Sequence, residues 1–339
     1  MCNGEAYLAD ALRSILSQSF RDFELIVIDD GSTDNTTAIL EQFQREDERI
    51  RLCRQSHGGT AAAVNHGMSL AAGEYIARMD ADDVCARERF ETQVKYLDNH
   101  PDVGICGTWI EIFGMGRSEI VRYPCDDGTI RSRLLFESPL AQPAVMLRRS
   151  VVTQDRLSYD TTALAEDYDL WVRASRHTRF ANIPAVLLRY RVHPNQIGSR
   201  LKEEQDASAQ HIRLAQLHCL GIRPSASEAD LHNDLSRWRF KAAPEFLRAT
   251  RKWFLKLEEA NEVVQYYPQA EFRMVLSQRW ADVCAAATAG GVRTLIEFWR
   301  APRLALSGVT PVRQLKFAVK CLIRKEAQAP FMKADRVAP

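Results

Sequence analysis

Short apolar runs alternate with amphipathic helical patterns from the start of the chain to about residue 195. Leu8, Leu12, Ile15 and Leu16 recur at helical spacing and predict a first helix. Residues 23–28 (FELIVI) form a run rich in β-branched side chains, which predicts a buried strand. The same reasoning predicts strands at 74–79, 103–113, 144–148 and 186–190, and helices from about residue 33, around 90–97 and from about residue 165. This alternation predicts an α/β domain whose sheet is mostly parallel and flanked by helices.

The pattern changes after about residue 195, where strand-like runs nearly vanish. Long helical stretches take over, including 205–220 and 258–265. We therefore predict a boundary there, with an α/β domain over residues 1–195 and a mainly helical C-terminal region over 196–339.

Composition limits the classes of function. The 339 residues are 46% hydrophobic, enough for a full core, and 45 basic residues nearly cancel 44 acidic ones. This balance predicts no nucleic-acid partner. The eight cysteines lie far apart without a CxxC pair, which argues against a zinc site or a disulfide framework and favours a reducing cytoplasm. The sequence shows no apolar run of the roughly 20 residues that span a bilayer.

Asp80, Asp82 and Asp83 place three carboxylates within four residues, directly after the strand at 74–79. Such density costs electrostatic repulsion unless a cation compensates it. Mg²⁺ and Mn²⁺ prefer oxygen ligands and often share their remaining positions with substrate phosphates. The triplet is therefore a candidate metal site for a nucleotide diphosphate. The alternative is a solvated acidic turn, since Asp is favoured in turns.

Two further carboxylates, Asp29 and Asp30, end the strand at 23–28. Open α/β sheets bind ligands beyond the carboxyl ends of their strands, so we expect both acidic loops to share one site. Asp29 and Asp30 are candidates for hydrogen bonds to a base or ribose. The segment also has a structural interpretation, in which Gly31 makes a turn and a side chain of residues 32–34 caps the next helix. We expect both interpretations to hold.

Glu166 and Asp167 fall in the first turn of the helix predicted near residue 165. Their structural role would be a favourable interaction with the helix dipole, and their functional role would be that of a general base. His193 follows the strand at 186–190. A lone histidine is usually structural, but imidazole also binds Mn-class metals, so His193 is a further candidate ligand.

Five segments resemble, in this order, the family 2 glycosyltransferases with the GT-A fold: residues 3–8 (NGEAYL), 23–36 (FELIVIDDGSTDNT), 65–67 (NHG), 71–83 (AAGEYIARMDADD) and 165–175 (AEDYDLWVRAS). The resemblance implies a GT-A catalytic domain over 1–195 that depends on a nucleotide sugar. It implies inverting transfer of a sugar, from a UDP-sugar in the first place, to a hydroxyl of a saccharide or lipid-linked acceptor. It also implies a place in bacterial surface polysaccharide or glycolipid synthesis.

The resemblance implies roles for the acidic residues of both loops. Asp30 resembles the uracil-recognising aspartate of the family, and Asp29 beside it supports the nucleotide pocket. Asp80 and Asp82 match the DXD motif, so that Asp80 contributes to both nucleotide and metal binding. Asp82 would be the direct ligand of Mn²⁺ or Mg²⁺, with Asp83 as its near neighbour.

The remaining roles concern the acceptor side. Asp167 matches the catalytic base of the family's ED motif, and Glu166 orients it or contacts the acceptor. His193 resembles a histidine that some members place near the metal and diphosphate. Gln142 stands where an acceptor-side loop often has histidine, so we assign it no catalytic role.

One departure leaves alternatives open. Family members usually carry a strand ahead of the NGE segment, and this chain begins at Met1 without it. We therefore expect the sheet to lack that strand, which favours a truncated, non-catalytic nucleotide-binding homologue as one alternative. A nucleotidyltransferase is the enzymatic alternative, but it would normally need a basic glycine-rich loop that the N-terminal region lacks.

Residues 311–325 (PVRQLKFAVKCLIRK) place apolar side chains at helical spacing among five basic ones, without an acidic residue. The apolar positions are Val312, Leu315, Val319, Leu322 and Ile323. This pattern fits a helix that lies in an anionic membrane interface. The alternative is a helix that packs its apolar face on the catalytic domain. We therefore expect a cytoplasmic protein with peripheral contact at the inner face of the cell membrane.

Overall fold

The computed structural model describes residues 1–154, 157–194, 196 and 202–323. They form two compact units. The first comprises the described residues of 1–127 and 138–209, and the second those of 128–137 and 210–336. We predicted one boundary at Asn195, which lies outside the described residues, as do residues 324–339 of the predicted helical region. The functional assignment of the two parts stays a prediction.

The first unit contains the strands of the protein. They are β1 (Leu25–Asp30), β2 (Ile50–Gln55), β3 (Tyr75–Ala77), β4 (Val84–Cys85), β5 (Val103–Gly114), β6 (Arg117–Val121), β7 (Met146–Arg148) and β8 (Arg179–Arg191). The helices along the same stretch of chain are α1 (Leu8–Leu16), α2 (Thr36–Glu46), α3 (Thr60–Leu70), α4 (Arg89–Asn99), α5 (Asp127–Arg133), α6 (Arg149–Gln154) and α7 (Glu166–Ala174), with a 3₁₀ turn at Gln142–Ala144. Of α5, only Asp127 belongs to the first unit.

The strands form two sheets. β1 and β2 pair in parallel, and a second sheet has the order β3-β7-β5-β8-β4, with β6 added to β5. The α/β class is confirmed, but the larger sheet is mixed rather than mostly parallel. β5 and β8 are parallel, whereas β3 with β7, β7 with β5, β5 with β6 and β8 with β4 are antiparallel. Hydrophobic periodicity carries no strand direction, which explains the difference.

The predicted apolar stripes form the cores. Leu8 and Leu12 of α1 pack with Val27 of β1 and with Leu40 and Phe43 of α2. A separate cluster covers the larger sheet and includes buried side chains of α4, β5 and β8. β1 thereby packs against the apolar faces of α1 and α2, which fixes the start of the loop that follows the strand.

A buried polar pair on α4 supports the larger sheet. Arg89 is fully buried and donates from Nη2 to the carbonyls of Arg78 and Val145, at 2.7 and 3.2 Å. Its Nε donates to Gln93 Oε1 at 3.0 Å, and Gln93 Nε2 donates to the carbonyls of Cys106 and Ala144. Carbonyls within β5, after β3 and ahead of β7 thus receive hydrogen bonds from one helix, which fixes the chain where it leaves β3.

The second unit is helical. Its helices are α8 (Lys202–Cys219), which begins in the first unit, α9 (Ala226–Ser236), α10 (Pro244–Val264), α11 (Gln269–Ala286), α12 (Val292–Trp299), α13 (Pro302–Leu306) and α14 (Pro311–Leu322), with a 3₁₀ turn at Thr288–Gly290. α11 is buried on most of its circumference, including Phe272, Leu276 and Trp280, so it is the central helix of this unit. Within the described part of the chain, every helix is too short or too polar to cross a bilayer.

Candidate functional site

The loop after β1 is held by Asp29. This side chain is buried, and its Oδ1 accepts from the Ser32 amide at 3.0 Å while its Oδ2 accepts from Thr37 Oγ1 at 2.7 Å. Burial acts to raise the pKa of Asp29, but the hydrogen bonds from Ser32 and Thr37 outweigh it and lower the pKa below its usual value. Asp29 therefore joins the strand end to the start of α2.

Asp30 organises the neighbouring loop. Its Oδ1 accepts from Gln55 Nε2 and the Gly58 amide, both at 2.8 Å, and its Oδ2 accepts from the Gly59 amide at 2.9 Å. His57 Nδ1 lies 3.0 Å from Oδ2. Burial acts to raise the pKa of Asp30, and the hydrogen bonds from Gly58, Gln55 and Gly59 lower it on balance. The carboxylate thus holds the loop between β2 and α3 at the carboxyl end of β1.

Gly31 makes the turn directly after Asp30, where the chain leaves β1 toward α2. Its φ is +77°, and a Cβ there would lie 3.0 Å from the His57 amide nitrogen. We expect Gly31→Ala to lower the free energy of unfolding by about 1–3 kcal/mol, because a left-handed backbone and a close contact both oppose the methyl group. Scanning calorimetry of the transition that contains the first unit would measure this loss.

Gly116→Ala is the matched control for this substitution. Gly116 also has a positive φ, +71°, but a Cβ there would meet nothing within 4 Å. We expect a smaller loss for Gly116→Ala, and equal losses in the two variants would contradict a constraint imposed by His57.

The second acidic loop follows β3 and is only partly solvated. The Asp80 and Asp82 side chains are 33% and 27% exposed, and Asp83 is fully buried. Oxygen atoms of the three carboxylates lie within 4.8 Å of one another. Burial and the charge of Asp80 raise the pKa of both Asp82 and Asp83, well above its usual value for Asp83. A freely solvated acidic turn would not bury Asp83, so that alternative is wrong for this residue.

The end of β8 completes this cluster. The Arg191 amide donates to Asp83 Oδ1 at 2.8 Å, and Arg191 Nε donates to the Asp82 carbonyl at 2.7 Å. His193 Nε2 lies 3.0 Å from Asp82 Oδ2, and its ring packs against Tyr7, with centroids 4.7 Å apart. The structure therefore brings His193 to the acidic loop, as its position after a strand suggested.

Arg78 is a site residue that sequence reasoning missed. Its Nη1 lies 2.7 Å from Asp80 Oδ1, and its Nη2 donates to Gln142 Oε1 at 3.5 Å. Its side chain is 11% exposed, so the ion pair with Asp80 is largely shielded from solvent. An arginine two positions ahead of an acidic triplet was the available signal.

Glu166 and Asp167 begin α7, as predicted, and both are half-buried. Burial, followed by the charge of Asp167, raises the pKa of Glu166 to about 7. Burial is also the main cause that raises the pKa of Asp167, and the charge of Asp80 acts in the same direction. These carboxylates therefore lie within electrostatic reach of the acidic loop. The chain that leads to α7 is tied to α3 by two hydrogen bonds between the Asn65 amide group and the Tyr159 backbone, each of 2.8 Å.

The acidic loop fits a hard divalent cation. Asp83 Oδ2 is buried and accepts no hydrogen bond from any described residue, and its neighbours repel it. Carboxylate oxygens and one imidazole nitrogen are a donor set suited to Mn²⁺ or Mg²⁺. Asp80, Asp82, Asp83 and His193 are the residues that could hold such an ion, while Glu166 and Asp167 offer carboxylates able to accept a proton. These roles, and those of Asp29 and Asp30 toward a nucleotide, stay predictions.

Comparisons with known proteins identify the family of the chain. A sequence model of the family described as Glycosyl transferase family 2 matches residues 1–154. An uncharacterized glycosyltransferase of Haemophilus influenzae is 31% identical over 223 residues, which cover 62% of this chain and 69% of the relative. The O-antigen biosynthesis glycosyltransferase WbnJ of Escherichia coli is 31% identical over 195 residues, or 56% of this chain and 76% of WbnJ.

Solved structures show the same fold. The crystal structure of S. aureus TarS 1-349 in complex with UDP superposes with a TM-score of 0.55 at 15% sequence identity. The match covers 98% of this chain and 93% of the TarS chain.

Proposed function

The chain belongs to glycosyltransferase family 2, has the GT-A-like fold and is a glycosyltransferase, and from that premise we propose that it transfers a sugar from a UDP-sugar to an acceptor hydroxyl with inversion. The observation that carries this proposal is the acidic loop, where three carboxylates within 4.8 Å of one another meet His193. One turn of α7 adds two carboxylates with raised pKa values. A diphosphate-binding metal site beside a general base is what such a transfer requires.

The donor would lie across the loops at the carboxyl ends of β1 and β3. Asp29 and Asp30 fix the first loop and thereby shape the surface on which a base and ribose would lie. We propose UDP as the nucleotide because TarS, which shares the fold, was crystallised with UDP. Asp80 would contribute to binding of both the nucleotide and the metal.

The metal would be Mn²⁺ or Mg²⁺. Its protein ligands would be Asp80, Asp82, Asp83 and His193. When bound, such an ion neutralises the negative charge that develops on the departing diphosphate. Arg78 adds a fixed positive charge beside Asp80. Asp83 accepts a hydrogen bond from the Arg191 amide and thereby holds the acidic loop against the end of β8.

Asp167 would act as the base. It would accept the proton of the acceptor hydroxyl while the hydroxyl oxygen forms a bond to the anomeric carbon. The bond from that carbon to the diphosphate oxygen breaks at the same time, and the oxygen keeps the electron pair. A single displacement of this kind inverts the configuration and needs no covalent intermediate on the protein. Half-burial of Asp167 supports this role, because a raised pKa makes a carboxylate a stronger base.

The acceptor side of the proposal rests on relatives. WbnJ is named for O-antigen biosynthesis, which supports a saccharide or lipid-linked acceptor in bacterial surface polysaccharide or glycolipid synthesis. The residues that select the sugar and the acceptor lie on loops of the kind that vary among proteins with one fold.

Calorimetric binding of UDP and of a panel of UDP-sugars, with Mn²⁺, Mg²⁺ or EDTA, tests the proposal. We expect UDP to bind in a metal-dependent manner. We also expect one of the UDP-sugars to be hydrolysed slowly, with metal-dependent release of UDP. A folded protein that binds UDP without any turnover would favour the truncated, non-catalytic alternative. Release of pyrophosphate from a nucleoside triphosphate in the presence of a sugar phosphate would instead favour a nucleotidyltransferase.

The pH dependence of UDP release should reflect Glu166. Below its pKa of about 7 this residue is protonated, and the negative charge that keeps its neighbour Asp167 basic is lost. We therefore expect kcat/KM to fall by about tenfold in total as pH drops through about 7, and to be flat above it. Glu166→Gln carries no charge at this position at any pH, so its kcat/KM should stay at the lower level and show no limb near pH 7. A limb near pH 7 that persists in Glu166→Gln would contradict the assignment.

A further inference from the structure

Helix α14, together with the residue that follows it, exposes a row of apolar side chains. Their exposed fractions run from 47% for Val319 to 67% for Leu315, and the other members are Val312, Leu322 and Ile323. These are the apolar positions that the sequence pattern singled out. They recur on one side of the helix, and together they form an apolar stripe that no described residue of the second unit covers.

The opposite side of α14 is the packed one. Phe317 and Cys321 are buried, and the Phe317 ring lies 4.9 Å from the Phe298 ring of α12. Arg313 points to the same interior and pairs with the buried Asp282. The helix is therefore fixed by a small buried set of its own, and the exposed stripe is not needed for its packing within this unit.

The neighbouring helix has the same character. Val292, Ile296 and Trp299 of α12 are 54%, 49% and 44% exposed, at the helical spacing of one face. Leu306, at the end of α13, is 58% exposed. Three consecutive helices thus present large apolar side chains, whereas scattered single ones would need no explanation.

The exposed charges of this stretch have one sign. Residues 291–323 contain six basic residues and one acidic residue, Glu297. Glu297 is buried and paired with Arg251 and Arg300. Arg293 and Lys316 are exposed, each beside the apolar positions of its own helix. The solvent-facing charge of this stretch is therefore positive, which complements a negatively charged surface.

We propose that the exposed side chains of α12, α13 and α14, here called the basic apolar face, bind the interface of an anionic lipid bilayer. Apolar side chains would enter the boundary between headgroups and acyl chains, Trp299 would sit at the headgroup level, and Arg293 and Lys316 would meet lipid phosphates. Arg324 and Lys325, the last residues of the segment predicted from sequence, lie outside the described residues. The inference goes beyond the transfer reaction and does not depend on it.

Co-sedimentation with vesicles tests this face directly. We expect the full chain to bind phosphatidylglycerol/phosphatidylcholine vesicles at low salt and to bind pure phosphatidylcholine vesicles much more weakly. The double variant Val312→Asp/Leu315→Asp should lower the partition coefficient about tenfold or more, since each replaced side chain loses its burial in lipid. Val263→Asp is the matched control, because Val263 is 84% exposed on α10, outside the basic apolar face, and its substitution should leave binding unchanged.

A second pair of variants separates charge from apolar contact. Arg293→Glu/Lys316→Glu should lower binding to the anionic vesicles by about 30-fold or more and remove most of its salt dependence. UDP binding and circular dichroism serve as checks that each variant is folded, so a loss of vesicle binding alone identifies the face. The proposal is overturned if the parent chain does not bind anionic vesicles. It is also overturned if light scattering shows that the parent is a dimer and that Val312→Asp/Leu315→Asp is a monomer, since a second copy would then cover the face.

Discussion

Asp167→Asn is expected to lower the turnover of UDP-sugar by about 10²–10⁴-fold and to leave UDP binding unchanged. The substitution keeps the shape of the side chain and removes its ability to accept a proton. It leaves the acidic loop after β3 as it is, so the donor affinity should persist. Steady-state UDP release, together with calorimetric UDP binding in Mn²⁺, measures both quantities on the same preparation.

Asp169→Asn is the control in the same helix. Asp169 also lies in the first turn of α7, but its Oδ2 is 2.7 Å from Arg173 Nη2, so it serves an ion pair on the helix surface. We expect its replacement to leave turnover within a small factor of the parent, because partly exposed ion pairs contribute about 1 kcal/mol or less. Equal losses in both variants would point to damage of α7 and would remove Asp167 from the role of base.

Asp82→Ala is expected to weaken UDP binding in Mn²⁺ by at least about 100-fold and to leave the weak binding in EDTA unchanged. Loss of residues that only support metal ligands commonly costs 10–100-fold in metal affinity, so loss of a ligand should reach at least the upper end of that range. The substitution also deprives His193 of its 3.0 Å partner. Titration of Mn²⁺ by electron paramagnetic resonance would follow the metal without the nucleotide.

Asp102→Asn provides the comparison for Asp82→Ala. Asp102 pairs with Arg179 at 2.7 Å on an exposed part of the first unit, outside the acidic loop. Its replacement should leave Mn²⁺ and UDP binding intact. If Asp82→Ala bound UDP as tightly as the parent in Mn²⁺, the metal site would have to be sought elsewhere. If it bound more weakly in EDTA as well, Asp82 would act on the nucleotide without a metal.

The sequence was sufficient to place residues that end a strongly apolar strand. Asp29 and Asp30 follow the FELIVI run, and the structure puts them at the end of β1. His193 could be associated with the acidic loop only through the rule that ligands gather at strand ends, and it does lie beside Asp82. In each case the apolar run identified a strand, and the polar residue after it could be placed at the end of that strand.

Residues that act through buried polar contacts were not predictable. Asp83 appeared as one of three similar carboxylates, and only the fold reveals that it is buried against the Arg191 backbone. Arg78 and Arg89 read as ordinary charged residues, because a sequence does not show which arginines will be covered. The polar strands β2 (IRLCRQ) and β6 (RSEIV) were also missed, since few of their side chains are buried and their apolar signal is weak.

The hydrogen bond between His193 and Asp82 joins residues 111 positions apart in the chain. This separation determines when the contact can form during synthesis on the ribosome. At about 5–20 residues per second, a ribosome needs roughly 6 to 20 seconds to add the histidine after the aspartate. During that interval the nascent chain carries an acidic loop without its imidazole partner and without the end of β8. Contacts of such long range also close late in folding. At the proposed metal site, tight binding of Mn²⁺ would require that synthesis has passed β8, so a pulse-labelled translation reaction should gain affinity for Mn²⁺ in one late step.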